Sequence, residues 1–307
     1  MDKNLLPDFL IIGAGKCGTT SVDNYLKQHP SIFVTAFKEP NFFGFEMVKP
    51  EDFDDPNELK YYQDHSITDL KSYQDLYKEA EPGQIKGETS NTYLYHETAP
   101  ERIKHYVPDV KMIAIFRQPA ERLYSRYLHL ARVDQLPTPT FEGVLDKSTI
   151  WWERNDLVKE GFYYKNLSKF YDHFDKDQIK VVLFEDLKKD PQGIIQSIAE
   201  FVGADGSFEF DLSVEYNKSG FIKNKFYDKM IGQNSIIKKG IKSMVPTSAF
   251  EKLKSNPWLR KKFTDITDKN LVRPKLEPEL KQKVTDIYRA DIQQLAKLIN
   301  RDLSHWL

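Results

Sequence analysis

Residues 9–21, FLIIGAGKCGTTS, carry an apolar run directly into a glycine-rich turn that bears Lys16, Thr19 and Thr20, after which the chain turns helical. FLIIG (9–13) is nearly all apolar, the pattern of a strand buried on both faces of a parallel sheet. A turn between such a strand and a helix exposes backbone N–H groups and the positive helix end, so it receives an anionic phosphate whatever carries it. Gly13, Gly15 and Gly18 permit close approach of the backbone, and the two threonines add hydroxyl donors. The same layout also describes a plain, tight strand–helix connection. One detail sets it apart from a triphosphate cradle: in G-x-x-x-x-G-K-[ST] the lysine follows the second glycine, whereas here Thr19 follows Gly18 and the nearby lysine is Lys16.

Two more apolar runs, KMIAIF (111–116) and IKVVLF (179–184), repeat the strand pattern, each followed by a turn and a helix. After the third, Asp190 is placed to cap and Pro191 suits the first helical turn. Ile194, Ile195, Ile198, Phe201 and Val202 then keep helical spacing until Gly203 stops it. Near the C-terminus Val284, Ile287, Tyr288, Asp291, Leu295, Leu298 and Ile299 form a mostly apolar stripe at helical period. Strands alternating with helices predict an α/β architecture, a P-loop-type three-layer fold with a central parallel sheet flanked by helices. The whole of 1–307 is read as a single domain with two departures from the scaffold. Residues 46–81 carry eleven acidic side chains against four lysines, with a weak helical pattern around Leu70, Tyr73 and Tyr77, and read as an acidic insertion. Residues 218–262 carry twelve Lys or Arg against Asp228 and Glu251. This is either a solvated basic face or a surface for an anionic acceptor or phosphate.

Composition narrows the function. A net charge of -1 argues against a general nucleic-acid binder, so electrostatic recognition has to be local. The first apolar run begins about eight residues from Met1, which leaves no room for a signal peptide, and no apolar stretch approaches the roughly 20 residues of a membrane span. A soluble protein is expected. The single cysteine, Cys17, excludes an intrachain disulfide and a cysteine-cluster metal site, and fits a cytoplasmic location.

A nucleotide triphosphatase places an acidic residue at the end of a second strand to hold Mg²⁺. Here KMIAIF ends in Arg117, a cation that repels a metal and welcomes a second phosphate. The expectation is a metal-free receptacle for a nucleotide with phosphates at two separate places. GAGKCGTTS resembles the 5′-phosphosulfate loop of sulfotransferases that use 3′-phosphoadenosine 5′-phosphosulfate (PAPS), a family whose loop carries Lys two residues before its second Gly. FRQPAERLYSRYLHL (116–130) resembles the same family's 3′-phosphate motif, with Arg117 at a strand end and Ser125 eight residues on. KEPNFFGFE (38–46) is similar to the KE-x-x-FF segment of the glycan-sulfating, heparan-sulfate-type branch. IKVVLFEDLKKDP and the ending RDLSHWL also resemble family segments.

The resemblance implies an enzyme that moves the sulfuryl group of PAPS to a hydroxyl or amino group, with a carbohydrate favoured as acceptor. Lys16 would neutralise charge on the departing phosphate, while backbone groups of Cys17, Gly18, Thr19, Thr20 and Ser21 hold the 5′-phosphate. Arg117 and Ser125 would hold the 3′-phosphate. Glu39 corresponds to the catalytic base of glycan sulfotransferases, and His129, in YSRYLH, to a histidine implicated in N-sulfotransferases; either serves as the base here. Asn41 departs from hydroxyl-directed members that have His at that position. Lys38 would balance sulfate charge, and GETSNTYLY (87–95) would bring Glu88 or Tyr93 to the acceptor. NKSGFIKN (217–224) lies where the family closes a basic loop over the nucleotide, which implicates Lys218, Gly220 and Lys223. Phe37, Phe42, Phe43, Trp151 and Trp152 are divided between an acceptor cleft and the core. Two other classes stay open: an atypical P-loop kinase, which would need Mg²⁺, and a non-catalytic nucleotide- or glycan-binding module.

Overall fold

The structure is a computed structural model, and it describes residues 5–46, 66–213, 221–222, 271–272 and 274–307. Five parallel strands form the central sheet: β1 (Phe9–Gly13), β2 (Ile32–Val34), β3 (Ile85–Thr89), β4 (Lys111–Phe116) and β5 (Ile179–Leu183), in the order β2-β3-β1-β4-β5. Phe9, Leu10, Ile11 and Ile12 are fully buried, as a central strand covered on both faces requires. The α/β fold and the three apolar strands are as the sequence predicts. Two strands went unread. β2 has only three residues, and β3, IKGET, lacks an apolar run.

The physical reason for Gly87 in β3 lies in β1. Phe9 and Gly87 are register partners, and a Cβ at Gly87 would collide with three ring atoms of Phe9. The aromatic ring thus occupies the space a side chain would take, and the glycine reads as a strand breaker only until its partner is known. Gly87→Ala is expected to destabilise the fold by about 1–3 kcal/mol, the usual cost of overpacking a filled core. A fall in the urea midpoint with unchanged slope checks it, and an unmoved midpoint refutes the packing account.

Helices join the strands as the local sequence dictates. Gly18, at φ 94°, opens the helix Thr19–Leu26 in a left-handed conformation. Asp190 accepts a hydrogen bond from the Gly193 N–H, Pro191 starts the helix Pro191–Val202, and Gly203 at φ 99° closes it. The pattern around Leu70 and Tyr73 becomes the helix Leu70–Asp75, capped by Asp69. The C-terminal stripe forms the helix Pro278–Leu298, whose Val284, Tyr288, Ile292 and Leu295 are buried. Asp291 in that stripe is no packing residue: its carboxylate accepts the Tyr164 and Lys165 N–H groups at 2.9 and 3.1 Å, serving the N-terminus of the helix Tyr163–Tyr171. Phe184 begins the helix Phe184–Lys189 rather than ending the strand, and its ring lies under Gly18 and against Arg117.

The strand order reverses around β1. The chain leaves β1 for β2 on one side and later crosses to β4 on the other, so the carboxyl ends of β1 and β4 open at a switch point where such sheets bind ligands. Gln118, just beyond β4, donates to Thr285 Oγ1 and the Trp306 carbonyl and accepts the Glu121 N–H, which fastens the C-terminal segment beneath this edge. A second, two-stranded antiparallel sheet pairs Phe221–Ile222 with Leu271–Val272. Most of the acidic insertion and basic segment, with Lys218, Gly220 and Lys223, lies outside the described residues. No helix among the described residues is long and apolar enough to cross a membrane.

Candidate active site

The loop after β1 is held from within and from outside. Ala14 N–H donates to the Ile115 carbonyl at 2.9 Å, tying the turn to β4, while Cys17 N–H and Ser21 N–H donate to Ala14 and Gly18 carbonyls. The Thr19 and Thr20 N–H groups stand in the first helical turn, where no intrahelical acceptor exists. Cys17 is buried with its sulfur 3.7 Å from Tyr163 Oη, and burial pushes its thiol up to about 12, so it stays protonated. Tyr163 Oη donates to the Arg117 carbonyl at 2.9 Å and so links the loop to the end of β4.

Lys16 projects from this turn at φ 69°, a left-handed backbone that a non-glycine residue rarely adopts. Burial, and then Arg126, Arg132 and Arg117, lower its ammonium to about 8. Two of those arginines flank His129 on the helix Pro119–Arg132: residues 126, 129 and 132 recur at three-residue spacing and share one face. His129 feels the same field. Burial, with Lys16, Arg126 and Arg132, depresses it to about 3, so it is neutral at any ordinary pH. Among the described residues no carboxylate forms an ion pair with Lys16, whereas Arg126 and Arg154 both pair with Asp156.

The KE-x-x-FF segment meets the loop directly. Lys38 Nζ donates to Thr20 Oγ1 at 3.1 Å. Glu39 Oε2 accepts the Asn91 N–H at 2.9 Å and its other oxygen accepts Asn91 Nδ2, a grip that fixes the carboxylate at the end of β3. Burial raises the Glu39 pKa against the opposing pull of Lys38, Asn91 and Arg126. Asn41 takes the Thr92 hydroxyl on its side-chain oxygen and donates its N–H to Ser90 Oγ. Glu88 and Tyr93 lie inside the protein. Glu88 is fully buried, accepts hydrogen bonds from Tyr73, Ser90 and Tyr93, and is pushed by burial up to about 7. They brace the segment from below and do not line a cleft. Phe42, Phe43 and Trp151 are likewise core, while Phe37 is exposed and Trp152 half-buried.

Arg117 lies at the end of β4 as expected. One guanidinium nitrogen pairs with Glu121 at 2.9 Å, its plane covers the Phe184 ring at 4.9 Å, and its Nε is buried with no hydrogen-bond partner among the described residues. Burial would raise the Glu121 carboxyl, but hydrogen bonds from Lys281 and Arg117 outweigh it and hold the group at about 2. Ser125 is buried on the same helix. The structure therefore sets Lys16 and His129 in one field of cations and joins Lys38 to Thr20 beside Glu39, while Arg117 stands just before the helix Pro119–Arg132 and Ser125 about two turns into it. Arg126 and Arg132 escaped the sequence reading; their spacing about His129 was the available signal.

A strand–turn–helix anion loop with a lysine before its second glycine, backed by an arginine at the next strand end, defines a sulfotransferase-type site. The chain belongs to the sulfotransferase family, whose domain it matches over residues 6–298. It is similar to bifunctional heparan sulfate N-deacetylase/N-sulfotransferase 1 of Caenorhabditis elegans, at 28% identity over 227 residues, 71% of this chain and 24% of that protein. It is also similar to heparan sulfate glucosamine 3-O-sulfotransferase 3B1 of Mus musculus, at 30% identity over 206 residues, 64% of this chain and 46% of that protein. The chain thus spans less than half the length of these curated relatives. Among solved structures, a sulfotransferase from Alicyclobacillus acidocaldarius superposes with TM-score 0.70 and 27% identity over 98% of each chain. The resemblance read from the sequence motifs is borne out.

Proposed function

We propose that the chain, acting as one domain over 1–307, transfers the sulfuryl group of PAPS to a hydroxyl or amino group of a carbohydrate or glycoconjugate, without a metal and in the cytoplasm. The observation that carries the reading is Lys16: a lysine at the anion turn, with no carboxylate pairing it among the described residues, inside a field of Arg117, Arg126 and Arg132. Such a group is matched to a ligand that brings concentrated negative charge. The donor set fits a nucleotide with phosphates at two places. Thr19 and Thr20 N–H groups and Lys16 would hold the 5′ end, and the Nε of Arg117, which has no hydrogen-bond partner among the described residues, would with Ser125 hold the 3′-phosphate. When bound, PAPS supplies an activated sulfuryl group.

The rest of the chemistry belongs to the chain. Lys16 stabilises negative charge on the departing phosphate, Lys38 balances the sulfuryl oxygens, and Glu39 takes the acceptor's proton. Glu39 is favoured over His129 because a base works best near the operating pH. Burial moves the carboxyl toward that range, and burial with three cations moves the imidazole away from it. A carbohydrate acceptor is supported by the heparan sulfate relatives and by the KE-x-x-FF segment that Asn91 holds beside the loop.

Calorimetric titration with 3′-phosphoadenosine 5′-phosphate in EDTA, beside ATP with and without Mg²⁺, tests the nucleotide site. Binding selective for the 3′-phosphate, independent of metal and weakened about tenfold or more in Arg117→Ala by loss of a charged hydrogen bond, is the expected result. ATP binding only with Mg²⁺ would return the loop to the kinase class.

A further inference from the structure

Glu160 takes no part in the steps above, yet its carboxylate touches the loop. Oε1 accepts the Gly15 N–H at 2.6 Å and Oε2 accepts Arg122 Nη1 at 2.6 Å, so each oxygen has one task. We propose that Glu160 is a positioning residue: its carboxylate, charge-balanced by Arg122, fixes the Gly15 amide and so sets the turn that aims Lys16.

Four observations carry this. Glu160 and Arg122 are buried, at 3% and 0% exposure, and a buried ion pair is a poor source of net stability compared with an apolar pair of the same volume. Its placement against a loop amide therefore points to geometry. Second, the platform under Glu160 is pinned carbonyl by carbonyl: Arg122 donates to Leu157, Tyr288 to Val158, and Asn166 to Lys159. A carboxylate mounted this way does not follow the loop; the loop follows it. Third, a Cβ at Gly15 would sit 3.1 Å from Oε1, so the glycine is matched to the close approach. Fourth, the next residue is Lys16 in its left-handed conformation, a backbone state that persists only where the surroundings over-determine it. Arg122 also answers an electrostatic objection. A bare carboxylate beside an anion-binding turn would repel the ligand, whereas the paired one presents almost no net charge.

The inference rests on the sulfotransferase reading only for its nucleotide readout. Two double variants separate geometry from charge: Arg122→Met with Glu160→Gln, and Arg122→Met with Glu160→Leu. Both remove the ion pair, and only the first keeps an acceptor for Gly15 N–H. Amide hydrogen exchange of the ligand-free protein over residues 13–21 is expected to be about tenfold or more faster in the Leu variant than in the Gln variant, with residues 111–116 equal in both. Affinity for 3′-phosphoadenosine 5′-phosphate should fall by a similar factor in the Leu variant and be rescued by Gln. Equal exchange and equal affinity in the two variants overturn the proposal. Should wild type fail to bind the nucleotide, the functional reading falls while the exchange comparison still decides the role of Glu160. Should neither variant fold, wild type alone decides: a Gly15 amide that exchanges like one in an open loop overturns it, and a protected one supports it.

Discussion

Lys16→Met is expected to lower sulfuryl transfer to a carbohydrate acceptor by about 10²–10³-fold, the usual cost of removing one group aimed at developing charge. Affinity for 3′-phosphoadenosine 5′-phosphate should fall much less, because the loop N–H groups and Arg117 remain. The pH dependence gives a second handle with a definite sign. Burial, followed by Arg126, Arg132 and Arg117, brings free Lys16 down to about 8. A bound anion stabilises the ammonium and raises that value. The lysine's contribution to binding is therefore fully present below about 8 and is lost as the pH climbs past the raised, ligand-bound pKa. Between the two values, binding must take up a proton. Titrations at a pH above 8 in buffers of different ionisation enthalpy should reveal that uptake in wild type and its loss in Lys16→Met. Transfer rates unchanged by the substitution would remove Lys16 from the chemistry.

The placement of Lys16 was legible because local pattern wrote it: an apolar strand, a turn and a helix need only adjacent residues to specify them. Arg117 was legible for the same reason, as the residue that ends the apolar run of β4. What escaped is what the fold alone brings together. β3 is invisible in IKGET because Gly87 makes sense only under the ring of Phe9. Glu160 meets Gly15 across 145 positions and belongs to no periodic pattern, since a lone glutamate before GFYY looks like a surface residue. Glu88 and Tyr93 were placed at the acceptor by motif and lie in the core by packing. There three hydroxyls satisfy one buried carboxylate, the condition under which such a group is tolerated. Sequence therefore placed the turn that bears Lys16 better than it placed the residues the fold brings up to that turn. The turn is one contiguous stretch, whereas its surroundings are assembled from residues 38–41, 88–93 and 126–132, which only the fold brings together.

Glu39→Gln should lower transfer by about 10²–10⁴-fold, the range a positioned general base contributes, with nucleotide affinity retained. The structure supplies the reason to expect a large effect from this residue and a small one from its rival. Asn91 holds the Glu39 carboxylate by backbone and side chain, so it is oriented before any acceptor arrives, and burial raises its pKa. His129 is depressed to about 3 by burial and by Lys16, Arg126 and Arg132, so as a proton acceptor it is weaker than an ordinary carboxylate. The pH profile follows with its sign fixed. A base acts when deprotonated, so kcat/KM in wild type should be at its plateau above the Glu39 pKa and fall as the pH drops through it. That acid limb should lie above the ordinary glutamate value of about 4.3. In Glu39→Gln the limb should disappear along with most of the rate, while His129→Asn should keep the limb and most of the rate. The opposite pattern, a limb that survives in Glu39→Gln and vanishes in His129→Asn, would transfer the role of base to the histidine. It would also mean that the bound nucleotide's negative charge offsets the three cations around the imidazole.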